Sequence, residues 1–112
     1  MRDGDHLAAA QAMARAAQLA GHTTLAEDAR YWNAVALGRA HRDGDARAAM
    51  EHFLAQHPGS PRAGEVSVML GWLLVDAHEL AAAESRFRAA AQDARPAVRD
   101  SARAGLAAVA KP

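Results

Sequence analysis

Alanine constrains the fold of this sequence more than any other feature. It fills roughly thirty of the 112 positions, and no residue has a higher helix propensity. Its small side chain also lets neighbouring helices approach closely. Although 51% of the chain is hydrophobic, only 4% is aromatic, and no segment shows the apolar–polar alternation of a half-buried strand. The sequence therefore predicts an all-α fold.

Capping and turn residues divide the chain into about six helices. Asp5 and Asp45 are predicted N-caps, and the segment from Thr24 to Glu27 matches a capping box. Gly21 is predicted to end the first helix, and the short connections predict antiparallel neighbours. The predicted helices run from Asp5 to Ala20, from Thr24 to about Asp43-Gly44, from Asp45 to just before Pro58, from Ser60-Pro61 to about Ala77, from Glu79 to Ala91 and from Pro96 to about Ala110.

A shift of the sequence against itself by 34 residues brings similar residues together. Phe53 falls on Phe87, and the Gly44-Asp45 turn falls on the His78-Glu79 turn. An alanine precedes each phenylalanine by four residues. The same shift pairs Ala49 with Ala83, Ser67 with Ser101 and Gly71 with Gly105.

This pattern resembles the tetratricopeptide repeat, a helix–turn–helix unit of 34 residues. The resemblance includes a large residue followed by a small one, as in Leu70-Gly71, and a turn such as Gly44-Asp45. Proline closes each unit, as at Pro61 and, one residue late, at Pro96. The segment 53–61 is similar to repeat endings in bacterial cell-envelope proteins of this family, which include outer-membrane assembly lipoproteins and the cell-division coordinator of the Tol system.

The resemblance implies one domain over residues 1–112, built of helical hairpins stacked as a short right-handed superhelix. Two departures stand out: Ala36-Leu37 occupies the place of the large–small pair, and the first join is about six residues too long for that spacing. The implied parts are residues 5–20 as the second helix of a partial repeat, residues 24–61 and 62–95 as full repeats, and residues 96–110 as a capping or partial-repeat helix.

The resemblance also implies a protein-interaction module. First helices in this family line a concave groove that takes a peptide or a partner helix. Trp72 would lie on the floor of that groove, and the alternative is that Trp72 belongs to the core. The groove residues implied by the register are Tyr31, His41, Arg42, Glu65, Val68, Trp72, Val75, Asp76, Arg99, Leu106 and Val109.

Charge and composition bear on the partners. The 13 acidic and 13 basic residues cancel, so nothing favours nucleic acid, and no apolar run is long enough for membrane insertion. We expect another protein or peptide as the partner. The alternatives are a homo-oligomeric scaffold and a segment of a larger regulatory, anti-sigma or envelope protein. Arginine supplies nearly all basic residues, which suggests a bacterial source, and the cell envelope is favoured over the cytoplasm.

Two charged clusters each allow two interpretations. Arg95, Arg99 and Arg103 form a stripe on the last helix that suits either an acidic partner or a solvated face. The Asp76, His78 and Glu79 cluster suits either a metal ion or a polar turn that caps a helix, and the second interpretation is favoured. No histidine pair has the i, i+4 spacing of helical metal ligands, and the chain has no cysteine. No nucleophile elbow or phosphate loop occurs. The sequence therefore predicts a protein that is not an enzyme and holds no cofactor or metal.

Overall fold

Six α-helices make up the fold in residues 3–20 and 24–111, which are the residues described by the structure, a computed structural model. No strand occurs among them, so the all-α prediction is confirmed. The helices are α1 (Asp3–Ala20), α2 (Thr24–Arg39), α3 (Asp43–Gln56), α4 (Ala63–Asp76), α5 (Leu80–Ala90) and α6 (Pro96–Ala110).

The chain divides into two compact units, residues 1–58 and 59–112. In the first unit α2 packs against both α1 and α3. In the second unit α5 packs against both α4 and α6, and α4 also contacts α6. Consecutive helices are thus neighbours inside each unit, as the short connections predict. The single domain and its superhelix stay predictions.

The ends of α1 and α6 test the predicted caps. Because α1 begins at Asp3, Asp5 lies inside the helix and its prediction as an N-cap is wrong. The predicted end at Gly21 lies outside the described residues. Pro96 opens α6 after an extended Arg95, and this prediction is confirmed. Proline suits this position because the first turn of a helix does not need its missing N–H.

The start of α4 lies later than predicted. The Ser60 hydroxyl accepts a hydrogen bond of 3.1 Å from the backbone N–H of Arg62. Residues 60–62 therefore form a local turn, and α4 begins at Ala63. Serine often makes such bonds to the backbone two residues ahead, in competition with the helix.

The turn between α2 and α3 lies earlier than predicted. Because α2 ends at Arg39 and α3 begins at Asp43, Gly44 lies inside a helix and Asp45 is not an N-cap. The left-handed conformation falls on His41, with φ of 57°. Two aspartates in the first turn of α3 favour this start, because carboxylates stabilise the positive end of the helix dipole.

The same turn recurs 37 residues later, at His78, with φ of 61°. Each histidine amide donates to the carbonyl three residues before it, at 3.1 and 3.0 Å, and the next amide donates to the carbonyl five residues before it. This pair of bonds defines the Schellman motif that ends many helices. The buried positions repeat with the same spacing, so the hairpins recur at 37 residues and not at 34: Ala46, Met50 and Phe53 in α3 match Ala83, Phe87 and Ala90 in α5.

Candidate functional site

A cleft of about 370 Å³ lies between α4 and α6 in the second unit. Apolar side chains from both helices form its walls, and polar groups lie at its edges. We call it the α4–α6 cleft, and its lining residues are Glu65, Val68, Met69, Arg95, Ala97, Val98 and Ser101.

Phe87 determines how closely the helices around this cleft approach one another. Its ring is fully buried and lies against the backbone of Gly71 on α4 and of Gly105 on α6. A Cβ atom at Gly71 would come within 2.5 Å of the ring, and a Cβ atom at Gly105 would also overlap it. The two glycines therefore let α4 and α6 both pack against the same ring atoms of Phe87, Cδ1, Cε1 and Cζ.

Val68 lines the cleft from α4. It is half-buried and packs on a small apolar cluster of Ala90, Val98 and Ala102, which joins α5 to α6. Because Val98 also lines the cleft, the same residues support the fold and present an apolar surface to a ligand.

Trp72 lies beside the cleft and is half-buried. Its ring meets Phe87 edge to face, with ring centroids 5.1 Å apart. Its indole N–H donates to the hydroxyl of Ser101, at 3.4 Å, and Ser101 lines the cleft. One side of the indole therefore belongs to the core of the unit, and the remainder is open to solvent.

Arg95 closes one end of the cleft. Its guanidinium lies 3.5 Å from the Glu65 carboxylate and 3.2 Å from that of Asp93, and it donates to the carbonyl of Pro61 at 2.7 Å. The backbone N–H of Arg95 donates to the Asp93 carboxylate at 2.8 Å. This hydrogen bond is the main reason that the pKa of Asp93 lies below its usual value, and the charge of Arg95 lowers it further.

Other predicted groove residues of the second unit lie elsewhere. Val75 is half-buried one turn beyond Trp72, and Asp76 is exposed where α4 ends. Arg99, Leu106 and Val109 do not line the cleft. Arg99 and Leu106 share one flank of the buried stripe of α6, and Ser101 occupies the other flank, as the rotation of 100° per residue requires.

The predicted arginine stripe is engaged locally. Arg99 donates to the carbonyls of Asp93 and Ala94, at 3.0 and 2.8 Å. Arg103 lies 3.9 Å from Asp100, and both side chains are well exposed. These contacts tie the α5–α6 loop to α6, and an acidic partner for the stripe stays a prediction.

In the first unit, the predicted groove residues do not share one surface. Tyr31 is buried, with its ring against Trp32 at 5.0 Å and Phe53 at 6.2 Å. His41 lies in the turn after α2. Arg42 pairs with Asp45 at 3.1 Å on the edge of a second cleft, of about 340 Å³, lined by Leu7, Ala10, Gln11, Ala14, Asn33, Leu37, Arg42 and Asp45.

Within the described residues, no three or more His, Asp or Glu side chains are grouped closely enough to hold a metal ion. No helix in that same part of the chain combines the length and the apolar character that crossing a membrane needs.

Comparisons with protein-family models, with curated proteins and with solved structures find no match to this chain.

Proposed function

We propose that this chain is a protein-binding module of the tetratricopeptide type, and that the α4–α6 cleft takes one apolar face of a peptide or partner helix. The supporting observation is the cleft itself. Val68 and Met69 form an apolar wall on α4, and Val98 continues it on α6. The Glu65–Arg95 ion pair at one end supplies the polar rim that protein interfaces have around an apolar centre.

The size of the cleft favours side chains of a polypeptide over a large cofactor. Its volume of about 370 Å³ lies at the low end of ligand pockets, which span about 300–1,000 Å³. An amphipathic helix inserts a few apolar side chains from successive turns into such a groove. Trp72 supports this assignment, because its indole lies beside the cleft and remains partly exposed, and tryptophan is enriched among the residues that contribute most to binding.

Two features support the tetratricopeptide part of the proposal. Helical hairpins recur with the same histidine turn, at 37 residues where the tetratricopeptide repeat has 34, and two glycines lie against one buried aromatic ring. The similarity of segment 53–61 to envelope proteins is the basis for proposing a bacterial envelope protein.

Ala97→Glu tests the proposal. Ala97 is exposed on the wall of the cleft and lies in the first turn of α6, where a carboxylate suits the helix dipole. The change therefore places a charge in the cleft without disturbing the fold. Ala82→Glu is the matched control, since Ala82 is also an exposed alanine in a helical first turn but lies outside the cleft.

Peptides patterned as amphipathic helices would be selected by display against the wild-type chain, and their affinities measured by titration calorimetry. We expect Ala97→Glu to weaken binding about tenfold or more, or about 1.4 kcal/mol, and Ala82→Glu to leave it unchanged. Equal affinity for both variants, or a selection that yields no binding peptide, would contradict the proposed site.

A further inference from the structure

The outer face of α2 carries two large apolar side chains that the first unit leaves exposed. Leu25 is 65% exposed and Trp32 is 46% exposed, and among the described residues only Leu80 is a comparable case. Leu25 and Trp32 are seven residues apart, so they lie on the same face of the helix. Exposed apolar surface of this kind marks an interaction site.

The neighbours of these residues form a heptad pattern. Positions 25, 28, 32, 35 and 39 are spaced alternately by three and four residues, which is the a/d spacing of a helix that packs along a partner helix. Asp28 and Val35 are half-buried, and Arg39 is exposed. We call this set the α2 seam, and it consists of Leu25, Asp28, Trp32, Val35 and Arg39.

The α2 seam is complementary to itself in one orientation. When two copies run antiparallel, each a position faces a d position of the other helix. Trp32 then faces Val35, so apolar side chains meet at the centre, and Asp28 faces Arg39 on each side of them. Leu25 lies beyond these pairs, opposite the turn that follows α2 of the other copy. A two-fold axis makes each pairing occur twice. A parallel arrangement instead opposes Asp28 to Asp28 and Arg39 to Arg39, which like-charge repulsion disfavours.

We propose that a second copy of this chain covers the α2 seam, with the two α2 helices antiparallel around a two-fold axis. The inference is independent of the α4–α6 cleft, because every residue of the seam lies in the first unit.

The seam is supported from beneath. Trp32 meets Tyr31 edge to face at 5.0 Å, and Tyr31 is buried against Phe53 at 6.2 Å. The indole is therefore held in place before a partner arrives, which lowers the entropy lost on binding. Asp28 and Trp32 also have contacts within their own chain. A carboxylate accepts several hydrogen bonds, so pairing with Arg39 of the second copy adds to them.

Charge reversal tests this arrangement. In a dimer of the Asp28→Arg variant, the new arginine lies opposite Arg39 of the other copy. In a dimer of the Arg39→Asp variant, the new aspartate lies opposite Asp28. An equimolar mixture of the two single variants places an opposite charge against every reversed one in the mixed dimer. The register is determined from the single variants, because a parallel dimer already opposes Asp28 to Asp28 and Arg39 to Arg39. In that register each variant only exchanges one like-charge pair for another, and the dissociation constant should not rise. Asp100→Arg, at an exposed aspartate of α6, is the matched control for adding an arginine.

Sedimentation equilibrium of the full chain over a range of concentrations gives the result. We expect the wild-type chain to dimerise, each single variant to raise the dissociation constant about tenfold or more, and the mixture to dimerise more tightly than either variant alone. Asp100→Arg should behave as the wild type. Rescue in the mixture also shows that both variants are folded.

Three outcomes would overturn the inference. A wild-type chain that stays monomeric at every concentration leaves the seam to a different partner. If the wild-type chain dimerises but neither charge reversal changes the dissociation constant, the dimer forms through another face or in the parallel register. Weakening by both variants without rescue in the mixture excludes direct pairing of Asp28 with Arg39.

Discussion

Two glycines set the distance between helices around one aromatic ring. Gly71 and Gly105 both lie against Phe87, and a side chain at either position would overlap it. The sequence pairs these glycines through the spacing of 34 residues, but it does not reveal that they contact the same ring. That contact depends on α5 packing against both α4 and α6, which is a property of the tertiary structure.

Gly71→Ala should destabilise the chain by about 1–3 kcal/mol, because a methyl group would be forced into a filled core. Gly44→Ala is the control. A Cβ atom at Gly44 meets nothing within 4 Å, so alanine there should stabilise α3 by about 0.5–1 kcal/mol. Urea unfolding measures both changes. A Gly71→Ala variant as stable as Gly44→Ala would show that Phe87 does not lie against α4.

The Asp93 carboxylate predicts an acid-sensitive contribution to stability. Its pKa is lowered in the folded chain, mainly by the hydrogen bond from the backbone of Arg95. The stabilisation is therefore fully present above the unfolded pKa of about 3.9 and is lost as the pH falls through the lower folded pKa. Asp93→Asn should lower the melting temperature at pH 7, and the difference from wild type should disappear in acid.

The control for Asp93 is Asp100→Asn. Asp100 is well exposed and only 3.9 Å from Arg103, and such pairs contribute little. Its melting curve should follow that of the wild type at every pH. A difference between Asp93→Asn and wild type that does not shrink as the pH falls would contradict the assigned role of the carboxylate.

At the scale of the helix, the sequence predicts the number and type of elements better than their ends. Alanine content and turn residues predict all six helices. The predicted boundary between α2 and α3 is wrong. Glycine has the highest turn propensity in this segment, so the prediction puts the turn at Gly44, whereas the chain turns at His41. The favourable charges of the first turn of α3 outweigh the cost of one glycine in a helix.

His78→Gly should stabilise the chain by about 1 kcal/mol. His78 adopts a φ of 61°, and this left-handed conformation costs a residue with a side chain about 1–2 kcal/mol. His52→Gly is the control, because His52 is exposed inside α3, where glycine is disfavoured by up to about 1 kcal/mol. In chemical denaturation, the free energy of unfolding should rise for His78→Gly and fall for His52→Gly. An equal loss of stability in both variants would contradict the left-handed conformation assigned to His78.

The candidate site could be predicted only in part, and the reason again lies in the helices. Glu65 and Val68 line the cleft as members of the predicted stripe on α4, and Trp72 lies beside it. The prediction of Arg99 and Leu106 carries the register of α4 over to α6. The buried stripe of α6 lies on Val98, Ala102 and Gly105, so a different flank, with Ala97 and Ser101, faces the cleft. No feature of the sequence distinguishes Ala97 from the other alanines.

At the scale of the whole molecule, the two units carry different surfaces. The second unit has a cleft with apolar walls and a polar rim, which we assign to a peptide or partner helix. The first unit has an exposed heptad seam, which we assign to a second copy of the chain. The two assignments depend on different residues, so one can fail while the other stands.

Fluorescence quenching of Trp72 tests the central claim, that the α4–α6 cleft is a binding site, most directly. A Trp32→Phe background leaves Trp72 as the one tryptophan, since the chain has two. Acrylamide should quench the fluorescence of Trp72 in the free chain, because the side chain is only partly buried. A saturating concentration of a selected peptide should reduce that quenching several-fold. Full protection of Trp72 in the free chain, or quenching that a bound peptide leaves unchanged, would contradict the account.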